Sequence, residues 1–223
     1  IGGFGIADTV SKTVDMSFFI NPSHVIIAGL IAAISWNLIT WWLGIPSSSS
    51  HTLIGGFAGA GIAASGFQAV HAGVIGVIAL FIVVAPLIGM VGGNIITIIT
   101  LHLVKKAKPG RADRWFKNLQ LVSAAMLSIG HGLNDSQKVM GISAAALIAF
   151  TQGNPDVHPW LRMDSMADMH DWVPLACFTA IALGTMCGGW KIMKTMGNRI
   201  TKITPIEGFC AQTAGSLTLF ITE

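Results

Sequence analysis

Long apolar runs without formal charge dominate this sequence and constrain what it can fold into. One run covers residues 24–44, a second covers residues 69–104 and a third covers residues 172–190. A helix needs about 20 apolar residues to cross a hydrocarbon layer of about 30 Å. The pattern therefore predicts an all-α, polytopic membrane helix bundle. The run at 69–104, interrupted by Pro86, leaves the number of crossings there open.

The composition argues against a soluble domain and against a nucleic-acid-binding protein. Charged residues make up 10% of the chain, against about 25% in a typical soluble domain. The formal charge of +3 comes from dispersed residues, with no basic run interleaved with aromatics that would suit nucleic acid. We therefore expect the partners to include a lipid bilayer and no nucleic acid.

The connecting segments alternate in charge. Residues 105–118 and 191–202 are basic, whereas residues 151–171 are acidic. Basic loops of membrane proteins stay on the cytoplasmic side. One crossing by residues 119–150 and one by 172–190 place both basic loops in the cytoplasm and the acidic loop outside.

A cluster of hydroxyls interrupts the apolar sequence at Pro46–Thr52, which reads PSSSSHT. Pro46 suits the first turn of a helix and serines are good caps. A helix that begins there, in a hairpin that is re-entrant or fully spanning, would direct unpaired N–H groups toward a bound anion. A capped turn at the membrane surface is the alternative. A nucleotide P-loop is excluded, because the Gly-Lys-Ser/Thr signature is absent.

A second polar cluster covers residues 129–138, IGHGLNDSQK. Its glycines are expected to break the helix, while Asn134 and Asp135 supply hard oxygen ligands for sodium or a proton relay. An Asp135–Lys138 pair that only holds helices together is the alternative. His131 and Asp135 lack the further ligands of a zinc site.

These clusters together resemble the inorganic phosphate transporters of the PiT type, which are sodium- or proton-coupled. The resemblance is strongest at residues 35–51, at residues 131–142 and at Gln120. It implies two inverted repeats with broken helices and re-entrant hairpins. Residues 1–104 would then end the first repeat, with its hairpin motif at 44–52. Residues 105–118 would form the cytoplasmic loop, and residues 119–223 would begin the second repeat, with its broken-helix motif at 130–138. A central fragment of this kind is not expected to transport alone.

The resemblance also implies a role for individual residues. The implied phosphate ligands are Ser47, Ser48, Ser49, Ser50, Thr52, Asn134 and Asp135. The implied ligands of the coupling cation are Asn134, Asp135, Gln120 and Gln137. Gln212 stands where many members carry a glutamate, which leaves the choice between sodium and proton open.

The expected activity is secondary active transport of inorganic phosphate. No catalytic residue, no metal beyond sodium and no cofactor beyond the coupling ion are expected. The expected location is the plasma membrane, and a homo-oligomer stays open. There are two alternatives. One is a carrier of another tetrahedral oxyanion such as sulfate, and the other is a phosphate-binding membrane receptor that does not transport. An intramembrane hydrolase is disfavoured, because Ser50 and His51 lack the glycine-flanked nucleophile elbow.

Overall fold

The computed structural model describes residues 5–154 and 156–222 and is helical almost throughout. Among these residues there is no strand, and one isolated antiparallel bridge joins Val14 to Val70. The α-helices in chain order are α1 Gly5–Ser11, α2 Pro22–Leu43, α3 Ser49–Ser65, α4 Ala72–Val104, α5 Pro109–Gly153, α6 Trp172–Met186, α7 Trp190–Lys194 and α8 Pro205–Thr222. The predicted all-α class is confirmed.

Helices α2 and α3 form an antiparallel hairpin held by a very close backbone approach. A Cβ atom added to Gly56 would lie 2.6 Å from the carbonyl oxygen of Gly29, and one added to Gly29 would lie 3.0 Å from the Cα atom of Phe57. Small residues permit such contact between membrane helices, where van der Waals packing drives association. The packing of α2 on α3 therefore depends on these two glycines.

Two helices are long and apolar enough to cross a membrane, Pro22–Leu43 and Ala72–Val104, counting only the described part of the chain. Their large aliphatic side chains are mostly exposed, as at Ile31, Leu38, Leu80 and Ile95. Water would disfavour such a surface strongly, whereas lipid chains match it. The protein is an integral membrane protein.

Helix α4 shows how the run at 69–104 folds. It is one helix of 33 residues that contains Pro86, so its length is about 50 Å. This exceeds the hydrocarbon thickness of about 30 Å. The helix is too short for two crossings and long enough to tilt within one or extend beyond it.

Helix α5 differs from the prediction at two places. The predicted loop 105–118 is shorter, because α5 begins at Pro109. Proline fits a first helical turn, and Lys117 pairs with Asp113 one turn away at 2.9 Å. The predicted break at 130–132 is also absent, since helical structure continues through both glycines to Gly153.

A bent pair of helices occurs near the C-terminal end instead. Trp172–Met186 and Trp190–Gly197 meet at 60°, as in a broken span or a re-entrant loop. Gly188 lies in the connection with φ of 93°, a conformation that glycine adopts without strain. If this pair counts as one span, the described chain holds three candidate spans.

The chain divides into two compact units. The first contains Val77–Leu133 and the chain from Gly197 onward, and the second contains the chain up to Gly76 and Asn134–Met196. In the second unit, Ala7, Met140, Val173 and Cys177 form a buried core that joins α1, α5 and α6. The predicted repeat boundaries are not tested by this division and stay a prediction.

We predict that Gly56→Ala destabilises the hairpin, because its methyl group would meet the Gly29 backbone. Gly59→Ala is the matched control in α3, since nothing lies within 4 Å of its added Cβ atom. The control should be neutral or more stable by up to about 1 kcal/mol, as expected for alanine in a helix. Thermal unfolding of both variants in detergent measures this. Equal melting temperatures for the two variants would contradict the proposed close approach.

Candidate functional site

The turn between α2 and α3 positions the serine tract. Gly44 ends α2 in the left-handed conformation, with φ of 71°, and the chain returns after four more residues. Ser48 is the N-cap of α3, and its Oγ atom accepts a hydrogen bond from the His51 N–H at 3.3 Å. The helix thus begins three residues later than Pro46, which lies in the turn rather than in the first helical turn. A serine side chain satisfies a free N–H at this position, which proline cannot do.

One side of the hairpin holds a cavity of about 460 Å³, where Trp36 faces Ser47, Ser48, His51 and Thr52. The Trp36 indole N–H donates to Ser47 Oγ at 3.2 Å. Thr52 Oγ1 donates to the carbonyl oxygen of Ser48 at 2.9 Å. The hydroxyl groups on this side therefore already take part in local hydrogen bonds that shape the turn.

A second cavity, of about 320 Å³, contains the other half of the serine tract. Ser49 and Ser50 line it together with Asp135 and Lys138 from α5. Ser50 Oγ donates to Asp135 Oδ1 at 3.3 Å, and Lys138 Nζ donates to Ser50 Oγ at 2.7 Å and to Asp135 Oδ1 at 2.8 Å. All of these residues belong to the second unit. The structure thus brings part of the serine tract and part of the Asn-Asp cluster together.

Two buried amides lie beside this cluster on α5. Asn134 and Gln137 are 6% and 8% exposed. Asn134 Oδ1 and Gln137 Oε1 have no hydrogen-bond partner among the described residues. A buried acceptor without a partner costs about 1–3 kcal/mol. These two oxygens are therefore free to bind a ligand that supplies positive charge or a donor.

Gln120 belongs to the first unit, where it lies against α8. The space next to the Gly208 Cα atom is filled by the amide of Gln120. On the next turn of α5, Ser123 Oγ donates to Gln212 Oε1 at 2.8 Å. The Gln212 amide oxygen thus accepts a hydrogen bond from a hydroxyl group of α5.

The contacts of Lys138 with Ser50 and of Ser123 with Gln212 were not predicted from the sequence. Lys138 was expected only as a structural partner of Asp135. In each case the spacing along the helix could have indicated the residue. Lys138 lies one turn after Asp135 in an apolar stretch, and Ser123 lies three residues after Gln120, so each shares a helix face with a predicted ligand.

A third polar cavity, of about 390 Å³, lies between α1, α5 and the segment before α2. Asp15, Ser17 and His71 contribute to its lining. Hydrogen bonds from the Ser17 hydroxyl and N–H lower the pKa of Asp15, and His71 adds to this effect. No sequence pattern predicted this cavity. No three His, Cys, Asp or Glu side chains in the described part of the chain lie close enough to hold a metal ion.

The sequence pattern of the phosphate transporter family matches residues 1–109 and 103–223 of this chain. Probable low-affinity inorganic phosphate transporters are among the similar curated proteins. Those of Rhizobium meliloti and Bacillus subtilis are each 44% identical over 218 residues, which cover 98% and 97% of this chain. One from Mycobacterium tuberculosis is 35% identical over the whole chain.

The chain spans 62% of the length of the Rhizobium and Bacillus relatives and 52% of the length of the mycobacterial one. The names of these relatives agree with the expectation of a transporter rather than an enzyme. No solved structure matches the chain significantly. The resemblance stated from the two motifs is confirmed by the family match.

We predict that Ser48→Ala destabilises the protein by about 1 kcal/mol, the usual cost of losing an N-cap. Ser49→Ala is the matched control, because the Ser49 side chain follows the cap and lines the other cavity. Thermal unfolding in detergent without phosphate compares the two. A larger loss of stability in Ser49→Ala than in Ser48→Ala would contradict the structural role of Ser48.

Proposed function

Because this chain belongs to the phosphate transporter family, we propose that the complete protein carries inorganic phosphate across a membrane in symport with sodium. The observation that carries the proposal is the cavity in which Ser49, Ser50, Asp135 and Lys138 meet. The family and the names of the relatives support phosphate as the substrate. The coupling ion and the ligand residues are proposed from the chemistry of the site.

The phosphate site is proposed at the N-terminal end of α3. Hydroxyls of Ser49 and Ser50 and the ammonium group of Lys138 are hydrogen-bond donors that line one cavity. The N-terminal N–H groups of a 17-residue helix add partial positive charge. These groups can replace the water that phosphate loses when it leaves solution. Direct contacts of phosphate with Ser47, Ser48, Thr52 and Asn134 stay a prediction.

The coupling cation is proposed to bind at the buried amides of α5. Asn134 Oδ1 and Gln137 Oε1 are acceptors without a partner in the described part of the chain, and Asp135, adjacent in sequence to Asn134, supplies a negative charge. An amide oxygen is a good ligand for a hard cation, but it does not take up a proton at physiological pH. This difference favours sodium over a proton. The assignment of Gln120 to the cation site stays a prediction.

Transport requires that the site be presented alternately to the two sides of the membrane. A phosphate dianion and bound sodium ions offset each other's charge, which lowers the cost of moving both through an apolar environment. We propose the plasma membrane as the location, with the basic segments 105–118 and 191–202 in the cytoplasm.

We predict that a sodium gradient drives uptake of labelled phosphate by the complete protein in proteoliposomes and that Asp135→Asn abolishes this uptake. The substitution removes the negative charge that the coupling cation needs. Asp164→Asn is the matched control, because Asp164 is an exposed acid that pairs with Arg162. Sodium-driven uptake that is unchanged in Asp135→Asn would refute the role of Asp135. Uptake driven by a proton gradient alone would refute the choice of sodium.

Sulfate is the second candidate substrate, because hydroxyls and an ammonium group bind any tetrahedral oxyanion. Asp135 favours phosphate, since a carboxylate accepts a hydrogen bond from the protonated oxygen of hydrogen phosphate and sulfate has no such proton. We therefore predict that a large excess of sulfate leaves phosphate uptake unchanged, whereas arsenate competes. Competition by sulfate as strong as that by unlabelled phosphate would contradict the assignment.

A further inference from the structure

Lys138, a donor of the proposed phosphate site, is already bound to two protein groups when phosphate is absent. Its ammonium group contacts Ser50 Oγ at 2.7 Å and Asp135 Oδ1 at 2.8 Å. The side chains of Lys138 and Asp135 are 22% and 28% exposed. The Lys138 ammonium group thus lies in a mostly buried site, next to Asp135, which is proposed to bind the coupling cation.

Helix stability does not account for this arrangement. Lys138 and Asp135 are three residues apart on one helix, where such a pair contributes only about 0.2–0.5 kcal/mol. Partial burial adds a desolvation cost that often cancels the attraction. An ammonium group also has three N–H donors, and Ser50 and Asp135 account for two of them. The third hydrogen is available to a ligand in the cavity.

The charges around the cavity pose a problem for an incoming anion. The protonated oxygen of phosphate can donate a hydrogen bond to the Asp135 carboxylate, but the negative charges of the two groups still repel each other in a partly buried site. The Lys138 ammonium balances that carboxylate, so it is not free to balance phosphate as well. A second cation bound to Asp135 would resolve this conflict. It would balance the carboxylate, so that the Lys138 ammonium group could balance the charge of phosphate.

We propose that Lys138 is a phosphate ligand whose availability depends on sodium. Without sodium, its ammonium group pairs with Asp135. When sodium binds the carboxylate, the ammonium group is released and binds phosphate. The inference rests on the proposed function and adds to it an order of binding, in which sodium precedes phosphate. Without sodium, Lys138 acts as an internal substitute for the coupling ion. With sodium bound, the same ammonium group becomes the positive charge that phosphate meets beside Ser49 and Ser50.

This exchange has a consequence that a purely structural lysine would not have. Lys138 competes with sodium for Asp135, so its removal should strengthen sodium binding. Lys138 also contacts phosphate, so its removal should weaken phosphate binding. The two affinities should therefore move in opposite directions in one variant. Loss of a helix contact would weaken both or lower only the maximal rate.

The test measures sodium-driven uptake of inorganic phosphate by the complete protein in proteoliposomes. In Lys138→Met we expect the KM for phosphate to rise about tenfold or more, the scale of one charge-assisted hydrogen bond. The sodium concentration for half-maximal uptake should fall. Lys138→Arg keeps the charge and should restore both values toward wild type. Lys117→Gln is the matched control, because Lys117 also pairs with an aspartate on α5 but is exposed, and it should change neither value.

A second measurement uses the wild-type protein and needs no variant to fold. Equilibrium binding of labelled phosphate in detergent should require sodium, whereas sodium should bind without phosphate. Phosphate binding that is independent of sodium would overturn the inference. So would a Lys138→Met variant in which both affinities fall or neither changes.

The failure of this inference is separable from that of the proposed function. If wild-type protein shows no sodium-driven phosphate uptake, the proposed function is wrong and Lys138 has no such role. If wild type transports normally while the sodium and phosphate affinities of Lys138→Met do not diverge, only the role of Lys138 is wrong.

Discussion

The neutralisation of Asp135 by Lys138 is the interaction on which the rest of this site depends. Both groups lie in a bundle whose remaining surface is largely apolar, where an uncompensated charge is costly. Their contact with Ser50 also provides a polar link between α3 and α5 in the second unit. In the proposed order of binding, sodium replaces Lys138 at Asp135, so that ligand binding is tied to a change in this contact.

The hairpin of α2 and α3 decides which serines reach that contact. Gly44 reverses the chain, and the close approach of Gly29 and Gly56 fixes how the two helices pack. Because Ser48 is the N-cap, the tract is divided at the start of α3. Residues before and at the cap face Trp36, and Ser49 and Ser50 face α5. Four identical side chains are therefore divided between two different surroundings.

Helix α5 carries two polar groups of residues along an otherwise apolar length. Gln120 and Ser123 lie in the first unit with Gln212 of α8, and the cluster from Asn134 to Lys138 lies in the second. The helix runs through Gly130 and Gly132 without a break. A glycine within a helix costs only about 1 kcal/mol relative to alanine, which packing readily offsets. Gly130 is buried against Leu219 of α8, which provides such packing.

The sequence by itself determined the all-α class, the apolar spans and the two polar clusters. These follow from the absence of charge over long runs and from the cost of polar groups in lipid, and neither depends on the details of packing. Helix boundaries were less accurate near Pro46, Pro109 and Gly130, because proline and glycine permit a break without requiring one. Only the tertiary structure decided which members of each cluster meet. It brought Ser50 into contact with Lys138 and placed Gln120 in the first unit. It also left the Asn134 and Gln137 side-chain oxygens without a partner among the residues that the structure describes. The reason is that such contacts depend on the rotation and separation of helices far apart in the chain, which local residue patterns do not encode.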